Sequence, residues 1–215
     1  HTRYISVTGV QTCALPIFRA LLDYSERDTL TGLLNRKSFD NAFFKLLAEG
    51  QGADPGTAER RRGEGRTVHW LGVIDIDHFK RVNDTFGHLI GDEVLLLLSR
   101  LMRSSFRYQD RLYRFGGEEF VVLMRGASPE AAASAFERLR LNVERYPFPR
   151  VGNITVSIGF TAVRTTDSPA AAFERADQAV YYAKSHGRNQ VADHLALVAR
   201  GELVEDRHDG DVELF

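Results

Sequence analysis

A chain of 215 residues can bury one good core, and 43% hydrophobic with 27% charged residues is the composition of a globular domain. Its 28 basic and 29 acidic residues leave a formal charge of −1, which argues against a protein that coats nucleic acid or lies on a membrane surface. The longest apolar run, VLLLLSRLM, is broken by Ser99 and Arg100 and falls short of the roughly 20 residues that span a bilayer.

In chain order, the segment VTGVQTCALPI (7–17) resembles a translated sequencing-library adapter, and no periodicity continues from it into the next segment. Residues 1–18 are therefore read as a non-native leader. They hold the single cysteine, Cys13, so no intramolecular disulfide is available, which suits a reducing compartment. Residues 19–27 read as a linker helix. After a short break, Phe39, Phe43, Leu46 and Leu47 form one apolar stripe at helical spacing. The glycine-rich, charged stretch 50–66, with Arg60, Arg61 and Arg62, reads as a loop with a solvated basic run.

TVHWLGVIDID (67–77) is nearly continuous apolar sequence, as in a strand covered on both faces. A helix is expected to open after Gly91, and RLYRF and FVVLM form a hairpin with Glu118 and Glu119 at its tip. SPEAAASAFERLRLNVERY and DSPAAAFERADQAVYYAKSHGRNQV each start a helix with Ser-Pro, Ser128 and Ser168 serving as N-caps. The second has Phe173, Ala176, Val180 and Ala183 on one face and Gly187 as its stop. Between them NITVSIGFTAV is a further strand, and residues 193–215 read as a C-terminal helix and acidic tail. The order points to an α+β sandwich with a mostly antiparallel sheet.

Chemistry gathers at strand ends. Asp75 and Asp77 are two apart, so an extended strand turns them to one face. Burying carboxylates there is costly without a cation or hydrogen bonds; for Asp77, capping the following turn is an equal alternative. If the hairpin lies beside this strand, Glu118 and Glu119 approach Asp75. Converging carboxylates suit a hard divalent cation, magnesium by preference. Gly116 and Gly117 would let a ligand lie against the backbone.

These residues, with DTLTGLLNR (28–36), VIDIDHFKRVNDTFGHLIGDEVL (73–95), ITVSIGF (154–160) and YYAKSHGRNQV (181–191) in order, resemble the GGDEF family of diguanylate cyclases. GGEEF (116–120) is that motif's variant with glutamate in third place. The resemblance covers roughly residues 25–192 and places the catalytic domain at 28–192. It implies a central, mostly antiparallel five-stranded sheet flanked by helices, of the palm or nucleotidyl-cyclase type.

The resemblance also implies the chemistry. Two GTP become cyclic di-GMP and two pyrophosphates across a head-to-head homodimer. Asp75, Glu118 and the carbonyl of Ile76 would bind Mg2+, with Mn2+ as a substitute. Glu119 would be a further ligand or would assist deprotonation of the attacking hydroxyl. Asn83 and Asp92 match guanine-recognition positions, a carboxylate accepting from N1–H and the 2-amino group; without the resemblance Asp92 reads equally as a helix N-cap. His78 and Phe79 amides and the Lys80 ammonium would hold phosphates. Lys184 and Arg188 match the triphosphate-binding pair, although basic residues also collect at helix C-termini for dipole reasons. Asn35 and Arg36 are expected to fix the N-terminal segment, and His88 to be structural. RYQD, with Arg107 and Asp110, has the spacing of the family's product-inhibition site, and Arg138 is a candidate second arginine for it.

A catalytically silent domain relaying GTP or cyclic di-GMP binding is the alternative, and a generic palm-type cyclase or polymerase a third reading. The intact acids, glycines and basic residues favour activity. A sensory domain upstream, missing from this chain, and a cytoplasmic location, alone or as the cytoplasmic part of a larger sensor, complete the expectations. Nucleic-acid binding and a membrane segment are not expected.

Overall fold

The computed structural model describes residues 25–51 and 68–204. The adapter-like leader, Cys13, most of the linker helix and loop 50–66, and the end of the tail lie outside them. Elements run β1 (Leu34–Asn35), α1 (Arg36–Gln51), β2 (Val68–Ile76), α2 (Phe79–Phe86), α3 (His88–Ser105), β3 (Arg111–Gly116), β4 (Glu119–Ala127), α4 (Pro129–Arg145), β5 (Val156–Ala162), α5 (Pro169–Ser185), β6 (Val191–Asp193) and α6 (His194–Ala199).

The sheet has six strands in the order β1-β3-β4-β2-β5-β6. The four inner strands are antiparallel throughout. The sequence led us to expect five. The outer two, of two and three residues, pair in parallel at the edges and are too short to show a period-two pattern.

Alternation on β2 divides the core. Trp70, Ile74 and Ile76 face α3 and α4, where Val94, Leu98, Met102, Phe136 and Leu139 are buried. Leu71 and Val73 face α1 and α5, against Phe39, Phe43, Leu46, Ala176 and Val180. Continuing that alternation puts Asp75 on the α1 and α5 face at the open end of the sheet. Ser128 and Ser168 accept from the amides of Ala131 and Ala171, so both Ser-Pro starts are true N-caps. No described helix is long and apolar enough to cross a membrane.

Two expected boundaries differ. Helix α3 opens at His88 after Gly87, not after Gly91, so Asp92 lies inside the helix and is no N-cap. Glu119 belongs to β4, leaving Gly117 and Glu118 as the turn.

Candidate active site

The middle of the site is a cross-strand pair. Asp75 of β2 is the register partner of Glu119 on β4 and of Ser157 on β5. Directly opposed residues share a face, with β-carbons about 5 Å apart. Glu118 follows on the turn, and Gly116 and Gly117 have φ of 140° and 50°, backbone that a side chain resists. Helix α5 closes this corner by setting the Lys184 ammonium 2.7 Å from Asp75 Oδ1.

Four acids here hold protons more tightly than usual. Burial is the main cause for Asp75, opposed by Lys184 and reinforced by the charges of Asp77 and Asp177. Burial followed by the Asp75 charge raises Glu118, and burial followed by Asp177 and Asp75 raises Glu119. Asp177 of α5 is raised too, by burial with Glu174 beside it, and Lys184 opposes the shift. The corner thus concentrates negative charge, which the Lys184 ammonium meets at Asp75 and the Arg36 guanidinium with Lys184 at Glu119. Among the described residues no three acids, histidines or cysteines are placed to hold a metal ion between them without help from other donors. The oxygen-only donor set and its surplus of negative charge suit a hard divalent cation. Ile76, the last residue of β2, is buried beside them.

Asp77 serves the structure. Its carboxylate accepts from Ser157 Oγ and Thr155 Oγ1, both at 2.7 Å, and from the Asn189 amide at 3.0 Å. Asp77 therefore ties β5 and the segment after α5 to the end of β2, which goes beyond capping a turn.

Next, His78 turns left-handed, φ 58°, and starts α2 without a side-chain cap. The first-turn amides of Phe79 and Lys80 therefore point out of the helix without partners along it. One turn on, Asn83 reaches α3 where Gly91 leaves room: a β-carbon at Gly91 would overlap the Asn83 amide oxygen. Asn83 is thereby held close to Asp92, which is exposed. At the end of α5, Arg188 is exposed with φ 62°. The structure thus brings Asp75, Glu118, Glu119 and Lys184 together at one corner, with Asn83 beside Asp92 on the α2 and α3 side.

Reading residues alone missed Arg114, Asp28 and Asp177. Arg114 donates through Nε and Nη2 to the Gly117 carbonyl, at 3.2 and 2.8 Å. Its Nη1 reaches both Asp28 oxygens at 3.0 and 3.2 Å. No local pattern signals a bond between positions this far apart. Asn35 donates to the Ser25 carbonyl at 2.8 Å, the expected anchoring role; Arg36 sits over the Phe115 ring, 5.3 Å from its centroid. His88 opens α3 and is exposed.

On the far side of the hairpin lies an open pocket of about 780 Å³ whose lining includes Arg27, Arg103, Arg107, Arg111, Arg125 and Asp110. Asp110 is buried and accepts from the backbone amides of Arg107 and Arg125, at 2.9 and 3.3 Å. It shapes the turn that presents Arg107. Arg138 lies outside this lining and donates to the Ser105 carbonyl at the end of α3.

A family model, the diguanylate cyclase GGDEF domain, matches residues 25–190. The diguanylate cyclase DgcP of Pseudomonas aeruginosa is 44% identical over 167 residues, 76% of this chain but 23% of that protein. The response regulator PleD of Caulobacter vibrioides is 39% identical over 182 residues, 81% of this chain and 37% of that protein. The chain therefore spans well under half the length of either relative. Among solved structures, the coiled coil and GGDEF domain of DgcB from Caulobacter crescentus, in complex with c-di-GMP, superposes with a TM-score of 0.73 at 29% identity, covering 86% of this chain and 94% of that one. The active GGEEF domain of a Vibrio cholerae diguanylate cyclase gives 0.64 at 32% identity, over 75% and 97%. Sheet order, the acidic corner and a family match across both main stretches of described residues agree, and the chain belongs to the GGDEF-domain family of diguanylate cyclases.

Proposed function

We propose that this domain condenses two GTP into cyclic di-GMP and two pyrophosphates, each subunit of a homodimer contributing one bound nucleotide. The observation that carries the reading is the Asp75–Glu119 register pair, with Glu118 on the adjoining turn and Lys184 against Asp75. Magnesium, bound through Asp75, Glu118 and the Ile76 carbonyl, would neutralise the triphosphate and stabilise charge as the α-phosphate is attacked.

The chain's own residues divide the remaining work. Asn83 and Asp92 select guanine, because a carboxylate facing N1–H and the 2-amino group has no counterpart on adenine. Amides of the 78–80 turn, Lys80, Lys184 and Arg188 hold phosphate oxygens. Gly116 and Gly117 keep the space before the acids open. Glu119, its proton affinity raised by burial and neighbouring acids, is suited to accept the proton of the attacking 3′-hydroxyl.

The arginine pocket behind the hairpin is read as the product-inhibition site, its positive charge suited to the two phosphates of cyclic di-GMP. The domain would act in the cytoplasm, driven by an input domain preceding it. Purified protein given GTP and Mg2+ should release pyrophosphate and form cyclic di-GMP, and Glu118→Gln should abolish both. Guanine-nucleotide binding without product at high protein concentration would instead support a silent relay.

A further inference from the structure

Around Asp77 the backbone is strained at three places that carry side chains. His78, Arg188 and Asn189 have φ of 58°, 62° and 48°. Left-handed backbone at such residues persists where the surroundings hold it in place, and it gathers at working sites. Here the holder is visible. The Asn189 amide N–H donates to Asp77 Oδ2 at 3.0 Å, and Asp77 is itself pinned by Ser157 and Thr155. From the other side the Asn189 side chain donates to Glu144 Oε1 at 2.6 Å and accepts from Arg140 Nη1 at 2.9 Å.

Arg140 is not a spare cation for phosphate. It is mostly buried, and its guanidinium meets Glu137 at 2.6 Å and Glu144 at 3.1 Å. Between two carboxylates its charge is neutralised locally, and what it gives Asn189 is direction. Arg188, one residue before, has its amide fixed to the Ala183 carbonyl at 2.9 Å and its side chain exposed. Both ends of this two-residue turn are thus tied down, while the guanidinium projects freely.

We infer that Asn189, clamped by Arg140 and Glu144 of α4 and tethered through its amide to Asp77, is a positioning residue that aims Arg188 at the triphosphate. The inference rests on the proposed role of Arg188 as a phosphate ligand. It makes α4, a helix away from the acidic corner, part of the support of the substrate site. The chain from Arg140 through Asn189 to Asp77 also ends beside His78, whose turn carries the other phosphate-facing amides.

The test measures binding by calorimetry, using a GTP analogue with a non-hydrolysable α–β linkage and Mg2+, with thermal unfolding followed in parallel. Asn189→Gly tolerates the left-handed backbone and deletes only the side-chain bridge. It should weaken binding about tenfold, the scale of one charge-assisted phosphate contact. Arg188→Ala should lose a similar factor, and the double variant should lose no more than Arg188→Ala, because Asn189 acts through Arg188. Arg140→Lys keeps the charge but not the fork and should weaken binding in the same direction; it decides the matter if Asn189→Gly does not fold. Wild-type affinity in Asn189→Gly, or in Arg140→Lys where that variant decides, overturns the inference, as do losses that multiply in the double variant. If Arg188→Ala loses affinity and Asn189→Gly does not, only the inference fails; if Arg188→Ala binds like wild type, the phosphate role of Arg188 fails and the inference with it.

Discussion

Arg114 and Asp28 are joined across the chain: Arg114 Nη1 lies 3.0 Å from Asp28 Oδ1, while the same guanidinium holds the Gly117 carbonyl from its other edge. The side chains are 11% and 21% exposed, so the pair is largely shielded from solvent and its bonds are charge-assisted. The turn bearing Glu118 is therefore fixed to the segment before β1. Replacing Arg114 with Met should cost about 1–2 kcal/mol of stability. By letting the turn wander, it should lower kcat/KM by about ten- to a hundredfold. Chemical denaturation and an assay of cyclic di-GMP formation measure the two effects.

Asp28 adds a pH signature. Burial pushes its carboxyl up, but hydrogen bonds from the Thr31 hydroxyl and amide and from Arg114 outweigh this and hold it below the ordinary value of 3.8. A carboxylate depressed in the folded state stabilises it above the unfolded-state pKa, and that contribution fades as pH falls through the folded value. The stability gap between the wild-type protein and Asp28→Asn should therefore be full at pH 7 and shrink below about pH 4. Urea denaturation of both proteins across that range measures it.

The acids at the site oppose one another until a cation arrives. Glu118→Gln should remove at least about a hundredfold of activity. In metal-free buffer it should also stabilise the fold by roughly 0.5–1 kcal/mol, since like charges side by side destabilise. A Glu118→Gln protein less stable than wild type in the presence of a chelator would contradict the account of this corner.

Gly91→Ala tests the nucleotide pocket without touching it. The new methyl would meet the end of the Asn83 side chain, which can swing aside, so the fold should survive. Displacing Asn83 should raise the KM for GTP about tenfold and change kcat much less, as expected when a binding contact is lost.

Much of this was legible in the sequence, and the gaps have physical causes. The two faces of β2 and both Ser-Pro helix starts come directly from periodicity and capping. Gly91 looked like the residue preceding a helix because glycine breaks helices; it lies inside α3 because Asn83 needs the space. Glu119 looked like part of the hairpin tip because the run GGEE conceals where pairing resumes, and the structure pairs it with Gly116 and Asp75. The pairing of Arg114 with Asp28 and the bonds of Asp77 to Thr155, Ser157 and Asn189 depend on tertiary contact, which no local pattern reports.

Arg107→Ala separates the two sites. Arg107 lines the arginine pocket on the far side of the hairpin from the acids, so the initial rate of synthesis should stay within about twofold. Inhibition by added cyclic di-GMP should fall about tenfold or more with the loss of one bidentate arginine. Unchanged inhibition would remove this pocket as the regulatory site.

The central claim is that two copies of this acidic corner, each holding one GTP, make cyclic di-GMP between them. Its most direct test follows cyclic di-GMP and pyrophosphate formation from GTP and Mg2+ across a series of protein concentrations. The account predicts both products in a one-to-two ratio, with the rate per subunit rising with concentration as pairs form and lost in Glu118→Gln. GTP bound at the site without either product at any concentration would contradict it.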